Sequence, residues 1–380
     1  MQKKMFANQL YKTYETYKEQ KLSHRRIMHN DILPLIKNRN SGVFEISEIG
    51  KSFEGREIYL LKAGTGKIKV MLWSQMHGDE PTATQALFDI FNFFEHPGDL
   101  KDEAELILKN CTLYFIPMLN PDGAKRFQRR NAQDIDINRD ALRLESPEAK
   151  LLMKYRDVVN PDFGFNLHDQ DVWYSAGNTK HPATLSFLTP AFDNEKTINE
   201  SRKKSMQLIA EMNDVLQNFI PNQIGRYSDD FMPTAFGDNI QKKGTSTILI
   251  ESGGFADDQE RQIVRKLNFV AILYALYSIS NNNFVIKEIT DYEKIPFNKK
   301  NKLFDYIIRN AAIPNNNMKY KADIGIRSRS LHDKDIFEIE EIGDLSQNYA
   351  YFEIDINGAE IISVNIGNDA EFLIQTYFVS

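Results

Sequence analysis

Short runs rich in β-branched and aromatic residues alternate along this chain with long helical patterns, and that alternation leaves few folds open. The runs at 57–63, 68–74, 112–118, 163–167 and 246–250 are separated by helical patterns over 81–94, 147–159, 199–219 and 257–280. Such an order predicts an α/β sheet with helices on both faces. The runs Ile68-Lys-Val-Met-Leu-Trp73 and Ser246-Thr-Ile-Leu-Ile250 are nearly continuous in apolar residues, as strands buried on both sides are. Both end directly on polar residues. Ligands of open α/β sheets lie beyond the carboxyl ends of the strands, so the residues just after these runs are where chemistry is expected.

With 380 residues the chain exceeds the usual size of one domain, which predicts a large domain with a smaller appendage. Residues 1–40, with spaced apolar residues among charges from Met5 to Lys37, read as a helical leader whose role is packing. Residues 41–285 carry the α/β pattern. After Asn281-Asn-Asn283 the pattern changes to short alternating strands at 319–326, 349–356, 361–366 and 372–378, with an Asn-rich turn at Pro314-Asn-Asn-Asn-Met318. That predicts a small C-terminal β domain over 288–380.

Three ligand-type residues stand at the ends of the apolar runs. His77 and Glu80 follow the run that closes on Trp73-Ser74, two residues apart, so one loop can present both to a single ion. His168 ends the apolar run Phe163-Gly-Phe-Asn-Leu-His168. Two histidines and one glutamate are a frequent ligand set for catalytic zinc, which keeps one position for water. The lone Cys111 excludes an intramolecular disulfide and a thiolate cluster, and reads as a small core residue. Zinc lowers the pKa of its water toward about 7, and a positioned carboxylate is still needed to take the proton and pass it on. Glu251 ends the run 246–250 ahead of the turn Ser252-Gly-Gly254 and is the candidate general base. His24, His29, His96 and His332 lie in helical, turn or appendage contexts and read as solvated.

Taken together, these residues resemble the zinc carboxypeptidase family. Asn120-Pro-Asp-Gly123 is similar to the family's turn of that composition. Arg129-Arg130-Asn131 followed by Asp136-Ile-Asn138-Arg139 is similar to its Arg-x-Asn and Asp-x-Asn-Arg patterns. The matches run in the family's order over 67–255. The resemblance implies a mixed, mostly parallel sheet flanked by helices, one Zn2+ per chain and a peptide or peptide-like substrate. It implies that Arg129, with Arg130 as the alternative, stabilises the oxyanion and that Asn138 and Arg139 bind the terminal carboxylate of the substrate, Arg139 through a bidentate fork. The family's mobile tyrosine has no direct counterpart, since Asp229 occupies the ungapped position. Tyr227 is the nearest candidate. The segment after Arg139, Asp140 to Glu148, lacks the aromatic-rich insertion of the digestive enzymes and looks more like the bacterial branch, which includes enzymes acting on cell-wall peptides. In the appendage, the stretch from Ile366 to Leu373 resembles a turn in the small β subdomain of amidohydrolases.

Other classes give way on chemistry. A net charge of −6 provides no basic field for nucleic acid or an anionic membrane, and no run of about eighteen apolar residues predicts a membrane span. The polar, Tyr/Lys-rich start predicts a soluble chain, cytoplasmic as given, with export through a preceding signal peptide left open. An aspartoacylase-like amidohydrolase acting on N-acyl amino acids shares the His-x-x-Glu and the later histidine, but the Asp-x-Asn-Arg pattern favours a peptidase. A non-catalytic peptide-binding module is disfavoured by the complete set of ligands and base. Oligomeric state is not legible.

Overall fold

The apolar run at 68–74 becomes a central strand of the larger sheet, with Val70 to Trp73 fully buried on both sides. In the computed structural model, which describes residues 2–315, 318–331, 334–366 and 372–377, the chain forms two units. One comprises Met1–Asp171 with Ala183–Phe297, the other Val172–Pro182 with Asn298–Ser380.

The first unit holds an eight-stranded sheet. Its strands are β1 (Phe44–Lys51), β2 (Glu57–Ala63), β3 (Ile68–Ser74), β4 (Cys111–Ile116), β5 (Phe163–Asp169), β7 (Leu185–Leu188), β8 (Ile224–Arg226) and β9 (Ser246–Ser252), while β6 (Ser175–Ala176) belongs to the second unit. They lie in the order β1-β2-β4-β3-β5-β9-β7-β8. The four central strands are mutually parallel, and β1, β2 and the β7–β9 pair add antiparallel edges. The sheet is mixed and mostly parallel at its centre.

Helices cover both faces. On one face lie α1 (Gln2–Thr13), α2 (His29–Lys37), α3 (Thr82–Glu95), α4 (Lys101–Asn110), α7 (Glu200–Leu216) and α9 (Gln262–Ser280), packed on Val70, Leu72, Phe163, Phe165, Leu167, Ile248 and Ile250. On the other, α6 (Pro147–Val159) and α8 (Phe236–Lys242), with the segment containing α5 (Pro121–Arg126), enclose a smaller cluster around Met71, Trp73 and Ile116. Side chains alternate along a strand, so Asn166 and His168 of β5, and Leu249 and Glu251 of β9, point toward this second face.

The helix α9 is the nearest approach to a membrane-length apolar segment, and its length comes from packing, since nearly all its residues from Val264 to Ile279 are buried in the core. It starts five residues later than its pattern suggests. The Asp258 carboxylate accepts the N–H groups of Gln262, Ile263 and Val264, which sets the first turn there and leaves 253–261 as a loop. Cys111 is buried at the start of β4.

The second unit is a six-stranded sheet with the path β13-β12-β11-β15-β16, in which β14 also pairs with β11. Here β10 (Asn298–Lys299) pairs with β6, and the long strands are β11 (Leu303–Asn315), β12 (Met318–Leu331), β13 (Lys334–Gly343), β14 (Tyr349–Asp355), β15 (Glu360–Ile366) and β16 (Phe372–Tyr377). The pattern reading missed β11 and β13. The strand β11 pairs antiparallel with β12, Asn315 opposite Met318, and the middle of the Asn-rich turn, 316–317, lies outside the described residues. The turn likened to amidohydrolases centres on residues 367–371, outside the described residues.

A buried polar cluster adds to the apolar packing that binds the leader to the core. Arg265 of α9 donates Nε and Nη2 to the two oxygens of Asp89 in α3, at 2.7 and 2.5 Å. The same carboxylate accepts the Tyr14 hydroxyl at 2.9 Å and the Glu19 N–H at 2.7 Å. Asp89 and Arg265 have no exposed side-chain surface. Asp89→Ala would strand a buried guanidinium, and should lower the unfolding free energy by about 3–5 kcal/mol in a urea titration.

Candidate metal centre and active site

The strand β3 lies between β4, which follows it in the chain, and β5, which comes later on its other side. That reversal opens a crevice at the carboxyl ends of β3 and β5. The loop after β3 enters it with His77 and Glu80, and β5 enters it with His168.

There the three side chains converge. His77 Nδ1 lies 2.8 Å from Glu80 Oε1, and His168 Nδ1 lies 2.7 Å from Glu80 Oε2. One ligand atom from each residue falls within 4.8 Å of the others, and all three residues are buried. The imidazoles face each other with centroids 4.9 Å apart. Burial pushes the Glu80 carboxyl up, but the two imidazoles outweigh it and hold the group well below the usual carboxylate range. Burial also opposes charge on His77, yet Glu80 and Asp136 prevail and raise it to about 9. His168 is held below its ordinary value, chiefly by burial.

Two histidines sharing one buried carboxylate fit a divalent metal by donor set, because one cation can satisfy both ring nitrogens and the carboxylate. The second contact of His77 strengthens the fit. Its Nε2 lies 3.1 Å from Asp136 Oδ1, and a carboxylate behind a histidine is the arrangement that fixes the ring of a metal ligand. The sequence reading assigned Asp136 no role of its own, although it heads the Asp-x-Asn-Arg pattern.

Loop chemistry explains why these residues meet. The Asn120 carboxamide accepts the Gly123 N–H at 2.9 Å and donates to the Met76 carbonyl at 3.2 Å, so the Asn-Pro-Asp-Gly turn braces the loop before His77. Gly78 packs against that turn so closely that a Cβ would fall 2.0 Å from the Gly123 carbonyl carbon. Asn131 is buried, accepts the N–H groups of Gln133 and Ile135, and donates to Glu148. Its bonds curl the following loop back toward His77. Arg129 then donates Nε to Asp136 Oδ2 at 3.0 Å, while its Nη1 lies 3.1 Å from His77 Nδ1 and 3.3 Å from Glu80 Oε1.

Glu251 stands opposite His168 in the parallel register of β5 and β9. Its Oε2 is buried and has no hydrogen-bond partner among the described residues. Burial, then Glu80 and Asp169, raise its carboxyl well above the ordinary range, against Arg129 and Arg261. Asn138 and Arg139 form a 3-10 turn directly after Asp136, whose Oδ1 accepts the Asn138 N–H at 2.9 Å. The Asn138 side chain accepts the Phe236 N–H at 3.0 Å, and the Arg139 guanidinium is exposed.

Tyr227 is joined to the site by one intermediary: its hydroxyl donates to Gln170 Oε1 at 2.6 Å, two residues beyond His168. At the ungapped position, Asp229 pairs with the buried Arg202. Two further residues escaped the sequence reading, Asp169 and Arg261. Asp169 carried a signal, being a carboxylate directly after the strand-end histidine. Arg261 carried none.

Comparison with known proteins gives a consistent result. Residues 29–207 match the family model described as zinc carboxypeptidase. The chain is 30% identical over 137 residues to carboxypeptidase SOL1 of Arabidopsis thaliana, covering 32% of this chain and 28% of that protein. It is 28% identical over 145 residues to probable carboxypeptidase 2 of Trichophyton verrucosum, covering 35% and 26%. The matched stretch thus spans little more than a quarter of these relatives. Among solved structures, a metallo-carboxypeptidase from Burkholderia cenocepacia superposes with a TM-score of 0.53 at 18% identity, over 67% of this chain and 69% of that one, a likeness of fold.

The ligand geometry yields a direct expectation. Wild-type protein loaded with zinc and then dialysed should retain the metal, and His168→Ala should lose it, by elemental analysis. Full occupancy in the variant would exclude His168 from the ligand set.

Proposed function

We propose, from the match of residues 29–207 to the zinc carboxypeptidase family model, that the chain is a hydrolase removing the C-terminal residue of a peptide, with one zinc per chain held by His77, Glu80 and His168. The observation that carries this reading is the meeting of those three side chains beside Glu251, across one strand register. Zinc bound there supplies a Lewis acid and lowers the pKa of a water.

Glu251 is the general base. It takes a proton from the attacking water and delivers it to the departing nitrogen. A buried carboxylate with a raised pKa holds that proton more readily than an exposed one. Arg129 is partly exposed beside His77 and Glu80, and its permanent charge stabilises the oxygen that becomes negative as the carbonyl is attacked. Asn138 and Arg139 read the terminal carboxylate. Asn138 is anchored by its bond to Phe236, and Arg139 has a guanidinium open to solvent, matched in shape to a carboxylate. Tyr227, steadied by Gln170, closes the substrate side of the site.

Two measurements test this. Glu251→Gln should keep zinc and KM while lowering kcat about a hundredfold to ten-thousandfold, and near wild-type turnover would refute the base assignment. In the unmodified enzyme, amidating the substrate C-terminus should cost about 2–4 kcal/mol, roughly thirtyfold to a thousandfold in kcat/KM. Arg139→Met should cost a similar amount, and the two losses should not add. Murein tripeptides and N-acyl amino acids belong in the same screen. Preference for an N-acyl amino acid over every peptide would move the assignment to an amidohydrolase.

A further inference from the structure

Arg261 has no part in the chemistry proposed above, yet its buried guanidinium reaches both strands on which that chemistry depends. Its Nη1 donates to the Ser252 carbonyl at 2.6 Å and its Nη2 to the Gln170 carbonyl at 3.0 Å. Nη1 also lies 3.6 Å from Asp169 Oδ2. Ser252 directly follows Glu251, and Asp169 and Gln170 directly follow His168. One planar cation therefore grips the ends of β5 and β9 within two residues of the proposed ligand His168 and base Glu251.

The grip falls where the strands part. Gln170 donates its N–H to the same Ser252 carbonyl at 2.9 Å, and beyond it the chains diverge, β5 toward Asp171 and β9 into Gly253-Gly254. Asp169 extends the grip to a third segment, because its Oδ2 accepts the Thr82 hydroxyl at 2.6 Å and its N–H donates to Glu80 Oε2 at 3.3 Å. Arg261 itself adopts a left-handed backbone conformation, φ 53° and ψ 31°, which costs a non-glycine residue on the order of 1 kcal/mol. A lysine could not replace the fork, since its ammonium is a point charge on a flexible stem.

We infer that Arg261 is a positioning residue, whose guanidinium splints the carboxyl ends of β5 and β9 so that the His168 imidazole and the Glu251 carboxylate keep their separation. Its kinetic consequence rests on the hydrolytic reading, and its structural consequence does not.

The test compares Arg261→Lys with Arg265→Lys, which lies in the first turn of the helix that Arg261 caps, is also buried, and pairs with Asp89 rather than with the strand ends. Both variants should lose thermal stability. In zinc-loaded protein, Arg261→Lys should lower kcat about tenfold to a hundredfold, the scale of an ångström of misplacement, with KM within about twofold and zinc retained. Arg265→Lys should leave kcat unchanged in its folded fraction. Hydrogen exchange in peptides spanning 166–171 and 249–254 should quicken in Arg261→Lys only.

Wild-type kcat and exchange in Arg261→Lys, or kcat losses in both variants that track their loss of stability, would overturn the inference. Should zinc-loaded wild-type protein cleave no peptide, the hydrolytic reading fails and the exchange comparison alone decides the splint. Should Arg261→Lys not fold, Thr82→Val removes only the hydroxyl bound by Asp169. It should show the same kcat and exchange changes in weaker form, and unchanged behaviour would overturn the splint.

Discussion

One buried carboxylate, Glu80, receives an imidazole on each of its oxygens, and much of the surrounding structure exists to make that contact possible. Three ionisable groups withdrawn from water are costly unless each is matched by a partner. Glu80 is matched by both rings, His77 also by Asp136, and Asp136 in turn by Arg129. Each added partner brings its own loop into place. The residues that supply the partners, Arg129 and Asp136, hang from a segment whose curvature Asn131 and Asn120 impose through backbone hydrogen bonds. A metal at the same donors would meet a cluster already assembled around opposite charges.

Sheet topology decides who meets whom. Because β4 and β5 flank β3 on opposite sides, the loop after β3 opens into a crevice at the carboxyl ends, and His168 of β5 lies beside it. Alternation along the strands then turns His168 and Glu251 to the same face, away from the larger helical layer. That face is covered by α6 and α8 together with the loops that carry Arg129, Asn138 and Arg139. The layer of α3, α7 and α9 buries the larger cluster, and the thinner layer leaves the strand ends of His168 and Glu251 beside the loops.

Electrostatics sets the two carboxylates apart. Glu80 is drawn down by two imidazoles, whereas Glu251, opposite His168 in register, is raised by burial and by the negative neighbours Glu80 and Asp169. Groups of the same kind with pKa values pushed in opposite directions suit the division of labour proposed for them, Glu80 as a metal ligand and Glu251 as a proton carrier. The separation depends on how far Glu251 stands from Glu80 and Asp169. That gives the strand-end contacts of Arg261 a bearing on chemistry as well as on packing.

Much of this was legible in the residues alone. The run at 68–74 coincides with β3 because a strand buried on both sides is nearly continuous in apolar residues, and the run at 57–63 coincides with β2, whose burial alternates more nearly. His77, Glu80, His168 and Glu251 stood out as polar residues directly after such runs, a local signal. The strand β11, the late start of α9 and the contacts of Asp169 and Arg261 were not legible. The first lacked clear alternation, and the second turned on one capping carboxylate. Arg261 lies 91 positions from the Gln170 carbonyl it binds, and backbone carbonyls leave no mark in composition. Sequence by itself therefore determined which side chains end the strands and the order of strands and helices. The fold decided which strand ends lie side by side and which distant cation ties them, because register and long-range hydrogen bonds form between backbones whose partners are chosen only when the sheet closes.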